Sequence, residues 1–189
     1  MYRKWTVLMV SVIVAISGLL LICGHTLTRG GPAVGDDRVY DLDQDGVPER
    51  YVLNDQQLII AGEKEIWRSP PEWEVTGFKL ADATNDGQGD LLLVLWKSGS
   101  FGQHKPFWFK GEDDQYSNHL FVYNLAKGKL HPVWCSSALD QPIIELSVAD
   151  VDQDGRNELV VLGEEGALTT WRWRDWGFHQ VESGNNNLR

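Results

Sequence analysis

Between residues 37 and 183 the apolar positions come in short runs, many of them β-branched and several alternating with polar residues at period two. That is the signature of half-buried strands rather than of amphipathic helices. Taken in order, the runs fall at 38–41, 50–53, 57–61 and 65–68, then at 75–81, 91–96, 119–124 and 130–135, and last at 143–149, 159–162, 168–173 and 177–181. Gly, Asp, Asn and Pro punctuate them at strand intervals. The pattern predicts an all-β domain of three four-stranded antiparallel repeats. Three such repeats imply a small ring, an open arc with free strand edges, or a piece completed by another copy.

In each repeat the link between the first and second strands is nearly the same acidic nonapeptide. The three are Asp41-Leu-Asp43-Gln-Asp45-Gly46-Val-Pro-Glu49, Asp82-Ala-Thr84-Asn-Asp86-Gly87-Gln-Gly-Asp90 and Asp150-Val-Asp152-Gln-Asp154-Gly155-Arg-Asn-Glu158. Oxygen side chains at positions 1, 3, 5 and 9, with Gly at 6 for the sharp turn, can converge on one hard cation, for which calcium is the expected choice. Asp, Asn and Gly are also ordinary turn residues. A turn needs one Asp, however, whereas four clustered carboxylates repel one another unless a cation neutralises them. An EF-hand would place a bidentate Glu at position 12 between helices; here position 12 is Val52, Leu93 or Val161, inside a strand-like run.

An acidic loop closed at position 9 and followed by a strand resembles the FG-GAP and VCBS repeats, the calcium-loop blades of integrin-α-like propellers. The resemblance implies propeller-like blades, in a fold that closes with about four to eight of them, and ion ligands at positions 1, 3, 5 and 9 and the carbonyl at 7. They would be Asp41, Asp43, Asp45 and Glu49; Asp82, Thr84, Asp86 and Asp90; and Asp150, Asp152, Asp154 and Glu158. Thr84 departs from the pattern with a neutral hydroxyl at position 3, so the second site is expected to be the weakest. The phenylalanine-glycine part of the family signature is missing from the repeats.

Ahead of the domain, residues 5–23 are uninterrupted by charge and follow Arg3 and Lys4. The stretch is long enough to span a bilayer, and the preceding positive charges hold its start in the cytoplasm. A cleaved signal peptide is the rival reading, but no clean small-x-small site lies just after Cys23, the nearest small-residue cluster being Pro32-Ala33-Val-Gly35 about ten residues on, so an uncleaved transmembrane signal anchor over 1–24 is expected. A linker over 25–36 and a polar tail over 184–189 would flank a domain outside the cytoplasm. The chain is acidic, with a formal net charge of −10, and more negative still once Arg3 and Lys4 are set aside. This argues against nucleic acid and anionic lipid as partners. Cys23 lies in the apolar segment, which leaves Cys135 alone in the domain with no disulfide to form.

The second repeat is longer than the others by an insertion at about 97–118 that carries Phe101, Phe107, Trp108, Phe109 and Tyr116. Those aromatics would either fill the core of a small domain or form a recognition surface for a protein or glycan. Trp171 and Trp173 alternate with Arg172 and Arg174, so the two Trp share a strand face and read as core. His104, Glu112, Asp113, Asp114 and His119 lie in or beside the insertion without any catalytic spacing, and no His-Glu-x-x-His, Gly-x-Ser-x-Gly or phosphate-loop motif is present. The expectation is therefore not an enzyme but a membrane-anchored, calcium-binding module of the cell envelope. The alternatives are a structural subunit of an envelope complex and a carboxylate-dependent enzyme acting on glycan.

Overall fold

Residues 36–181 are described by the computed structural model. The expected anchor over 1–24, the tail over 184–189 and all of the linker except Asp36 lie outside the described residues. Twelve strands form three antiparallel four-stranded meanders, and no helix occurs among the described residues. The first sheet holds β1 (Asp36–Tyr40), β2 (Glu49–Asn54), β3 (Gln57–Ala61) and β4 (Glu65–Arg68). The second holds β5 (Glu74–Ala81), β6 (Asp90–Ser98), β7 (Tyr116–Ala126) and β8 (Lys129–Cys135). The third holds β9 (Ile143–Ala149), β10 (Glu158–Gly163), β11 (Leu168–Arg174) and β12 (Gly177–Gln180). Each sheet is ordered as its sequence, and none closes into a barrel.

Short hairpins explain the meander. Asp55 and Gln56 between β2 and β3 both have positive φ (48° and 64°), as do Lys127 and Gly128 between β7 and β8 (54° and 66°). Two successive left-handed residues make the turn whose twist matches that of paired strands.

The second sheet lies between the other two. In β6, Leu91, Leu93 and Leu95 join the cluster containing Tyr51, Leu58 and Ile60 of the first sheet. The intervening Leu92 and Val94 join the cluster of Ile143, Leu146, Leu159 and Val161 from the third. β7 divides in the same way, with Phe121, Tyr123 and Leu125 on one side and Leu120 and Val122 on the other. A strand covered on both faces needs a continuous apolar run, which Leu91-Leu-Leu-Val-Leu95 supplies. Trp171 packs against the second cluster from β11 together with Phe178, and Trp173 meets Phe178 edge-on, so both Trp face inward.

The insertion proper is shorter than the sequence suggests. Lys97 and Ser98 still pair with Ser117 and Tyr116, so β6 and β7 extend into it from both ends.

Candidate functional site

The three acidic loops have one backbone geometry. In each, the position-1 Asp accepts hydrogen bonds from the N–H groups of positions 5 and 6: Asp41 from Asp45 and Gly46, Asp82 from Asp86 and Gly87, and Asp150 from Asp154 and Gly155, at 3.1 and 2.9 Å every time. The position-5 Asp accepts the N–H of position 7 at 2.8–2.9 Å. The position-9 acid reaches back to the N–H of position 2, Glu49 to Leu42, Asp90 to Ala83 and Glu158 to Val151. Gly46, Gly87 and Gly155 have φ of 90°, 86° and 87°, which only Gly adopts without strain.

The position-4 residues Gln44, Asn85 and Gln153 are also left-handed, with φ of 56°, 60° and 62°. Their side chains tie neighbouring loops together. Gln44 donates to the Gly87 carbonyl at 3.2 Å. Asn85 donates to the Asn157 carbonyl at 3.0 Å and accepts the Asn157 N–H at 2.6 Å. Asn157 in turn donates its side chain to the Asp82 carbonyl. The loops therefore stand in a row at one end of the three sheets.

Their charges are handled differently. In the first loop, carboxylate oxygens of Asp41, Asp43 and Asp45 lie within 4.8 Å of one another. One oxygen of Asp43, Oδ1, is buried without a hydrogen-bond partner. Burial, with a smaller contribution from the Asp43 charge, holds the Glu49 carboxyl above its usual range. A carboxylate cluster with an unsatisfied buried oxygen is the donor set a hard cation fits.

In the second loop, Asp90 turns one oxygen onto the N–H groups of Ala83 and Thr84 and the Thr84 hydroxyl, all within 3.0 Å. Burial pushes its carboxyl up to about 6. Thr84 Oγ1 is thereby occupied, and this loop forms no cluster of three acids among the described residues. The buried Asn124 Oδ1 has no partner; the register that pairs Leu91 with Tyr123 sets Asn124 across from Asp90.

In the third loop, oxygens of Asp150, Asp152 and Glu158 cluster as in the first, but a cation is already present. Arg172, paired across the ladder with Glu158, contacts Glu158 at 2.7 Å, Asp152 at 2.6 Å and Asp154 at 3.3 Å. The Glu158 side chain is fully buried beneath it. The guanidinium hydrogen bond holds the Asp152 carboxyl below its usual range. Sequence reading missed this, although the alternation Trp171-Arg172-Trp173 put Arg172 on the face away from the core. In the first sheet the same place opposite Glu49 falls to Gly62, which has no side chain to offer.

The insertion presents its aromatics outward. Phe107 is 84% exposed and Trp108 68%, and the two rings meet edge-on at 5.0 Å. Phe109 is less exposed and packs edge-on against Phe101 at 4.9 Å. Tyr116 stacks on Trp96 at 5.6 Å. Lys105 lies over the Phe109 ring and donates to the Gly111 carbonyl, while Lys110 donates to that of Phe107. Of the two readings of these residues, core filling fails for Phe107 and Trp108.

Three titratable residues in or beside the insertion, Asp113, His119 and Lys97, pin it. Asp113 accepts the N–H and hydroxyl of Ser100, which lowers its pKa. His119 is fully buried, with Nε2 within 3.1 Å of Ser117 Oγ and the Gly99 carbonyl and Nδ1 3.1 Å from the Ser136 carbonyl. Buried Lys97 donates to the carbonyls of Ser98 and Gly99. Cys135 is half-buried, and burial pushes its thiol up, as suits an inert cysteine. No protein-family model, curated protein or solved structure matches this chain.

Proposed function

We propose that this protein is a calcium-binding β-repeat module of the cell envelope. Its N-terminal segment anchors it in the membrane, its three sheets act as propeller-like blades outside the cytoplasm, and its aromatic insertion binds a protein or glycan partner. The observation that carries the calcium reading is the threefold recurrence of one loop geometry, with the oxygens of Asp41, Asp43 and Asp45 gathered within 4.8 Å and no Lys or Arg paired with them among the described residues. Calcium would be structural, joining strands one and two of a sheet by neutralising carboxylates that otherwise repel. The resemblance to FG-GAP and VCBS repeats points the same way. The reading of the sheets as blades is supported separately by the convergence of their first strands, since β1, β5 and β9 all border one cleft of about 450 Å³.

The first loop is the principal site in this reading. The second, with Thr84 and Asp90 bonded to each other, binds more weakly, and in the third calcium competes with Arg172. Calorimetric titration of the full chain with calcium, with melting followed in parallel, tests the proposal. Saturable binding with a rise in melting temperature is expected. No binding up to about 10 mM, above the range of weak extracellular sites, would reduce the loops to Asp-rich turns. The partner surface is tested separately by changing Phe107 and Trp108 to Ser. Binding to isolated cell-envelope material should be lost while the melting temperature is kept; unchanged binding refutes a role for these aromatics.

A further inference from the structure

The two end sheets carry an unfinished version of the contact that joins them to the middle sheet. β3 reads Leu58-Ile59-Ile60-Ala61 and β10 reads Leu159-Val160-Val161-Leu162, continuous apolar runs like that of β6. Such runs belong to strands covered on both faces, yet among the described residues each is fully covered on one face only, with Ile59, Val160 and Leu162 half-buried on the other. Leu58 and Ile60 face the middle sheet, as do Leu159 and Val161. Val52 and Ile59, which pair across the ladder, face away from it, and so do Val160 and Leu162. Beside these lie Val39, 66% exposed on the first sheet, and Leu168, 60% exposed on the third.

The loop row is unfinished in the same direction. The first two loops each pass a position-4 side chain to the next, Gln44 to the position-6 carbonyl of Gly87 and Asn85 to the position-8 carbonyl of Asn157. Gln153 of the third loop has the same left-handed backbone and no hydrogen bond among the described residues. The carbonyls equivalent to that of Gly87 are those of Gly46 and Gly155, and of the two only Gly46 lies in a loop that receives no position-4 side chain from a neighbour among the described residues. The row of loops thus has a free donor at the third loop and a free acceptor at the first.

We infer that two copies of this chain join head to tail, the outer face of each third sheet packing on the outer face of the other's first sheet, with Gln153 donating to the partner copy's Gly46 carbonyl. Two such contacts related by a twofold axis close a ring of six sheets, within the range of about four to eight at which propellers close. This rests on the reading of the sheets as blades but not on calcium.

The test is the mass of the full chain in detergent micelles by light scattering, with the micelle subtracted. About twice the 21.4 kDa of one chain is expected. Placing like charges on both faces with Val52→Glu and Val160→Glu should halve that mass while circular dichroism stays β-rich. The opposite-charge pair Val52→Lys and Val160→Glu should restore it. Oxidation of a Val47→Cys, Gln153→Cys variant should link these positions between chains. A wild-type mass of one chain overturns the proposal, as does a doubled mass that survives Glu on both faces, which assigns association to another segment. A disulfide between 47 and 153 within one chain also overturns it, because the three sheets then close on themselves and the blade reading stands alone. A single-chain mass with no disulfide at all overturns both.

Discussion

Asp43 separates a metal site from an acidic turn more sharply than any other residue. Asp41 and Asp45 hold loop backbone N–H groups and would be needed with or without an ion. Asp43 Oδ1 is buried with no partner, and its charge adds to the upward push on Glu49. Without metal, an unsatisfied buried polar atom costs about 1–3 kcal/mol. Asp43→Ala in chelator should therefore stabilise the domain by about 1–2 kcal/mol, allowing for lost packing, or raise melting by about 2–4 °C per kcal/mol in a domain of this size. With calcium the sign reverses. At a free concentration 100 times the dissociation constant, binding contributes about 2.7 kcal/mol, reached near 10 mM for a weak site of about 10⁻⁴ M. The variant forfeits most of it. Paired thermal melts of wild type and Asp43→Ala in chelator and in 10 mM calcium should thus cross in rank order. Destabilisation of equal size in both media would refute the reasoning, because Asp43 would then be serving the turn rather than an ion.

Arg172→Gln should convert the third loop from self-neutralised to calcium-dependent, adding a binding equivalent in calorimetry and enlarging the calcium-induced rise in melting; an unchanged stoichiometry would show that the loop rejects metal for another reason. Leu93→Ala, at a fully buried position of β6, should cost about 2–5 kcal/mol in urea unfolding, whereas Phe107→Ala should stay within about 0.5 kcal/mol of wild type. Burial depresses the pKa of His119 below its ordinary 6.5, so the unfolded chain takes up this proton at higher pH than the folded one. The stability from neutral His119 is complete above about pH 6.5 and lost as pH falls toward the depressed value. Wild type measured in chelator should therefore lose stability over that window relative to His119→Gln, and parallel curves would contradict the burial argument.

The strands were legible because their chemistry is local. Gln57–Ala61, Glu65–Arg68 and Ile143–Ala149 coincide with the expected runs, and most other boundaries move by one or two residues where polar ends such as Glu49, Asp90 and Glu158 join the ladder. Position 9 is thus both loop closure and first strand residue, which the hydrophobic pattern alone does not reveal. The loops were legible by repetition. What escaped was set by partners distant in sequence. Arg172 reaches the third loop only through the β10–β11 register, and Gln44 and Asn85 find their acceptors only once sheets lie side by side. The hydrophobic pattern overstates the insertion because Lys97 and Ser117 are polar; they belong to buried strand ends, where Lys97 bonds backbone carbonyls and Ser117 bonds the Gly99 carbonyl and His119.

The sandwiched position of the second sheet sets the order in which the domain can come apart. Each sheet is contiguous in sequence, so each can form from nearby residues with little loop-closure cost. The two core clusters, however, have only the second sheet in common. Either end sheet can open while the other stays docked, but opening the middle one releases both. Amide protons of β6 and β7 should then exchange only through global unfolding, while those of β1 and β12 exchange through cheaper partial openings. Damage confined to an end sheet would leave a docked pair behind, whereas damage to the centre removes the common support of all three.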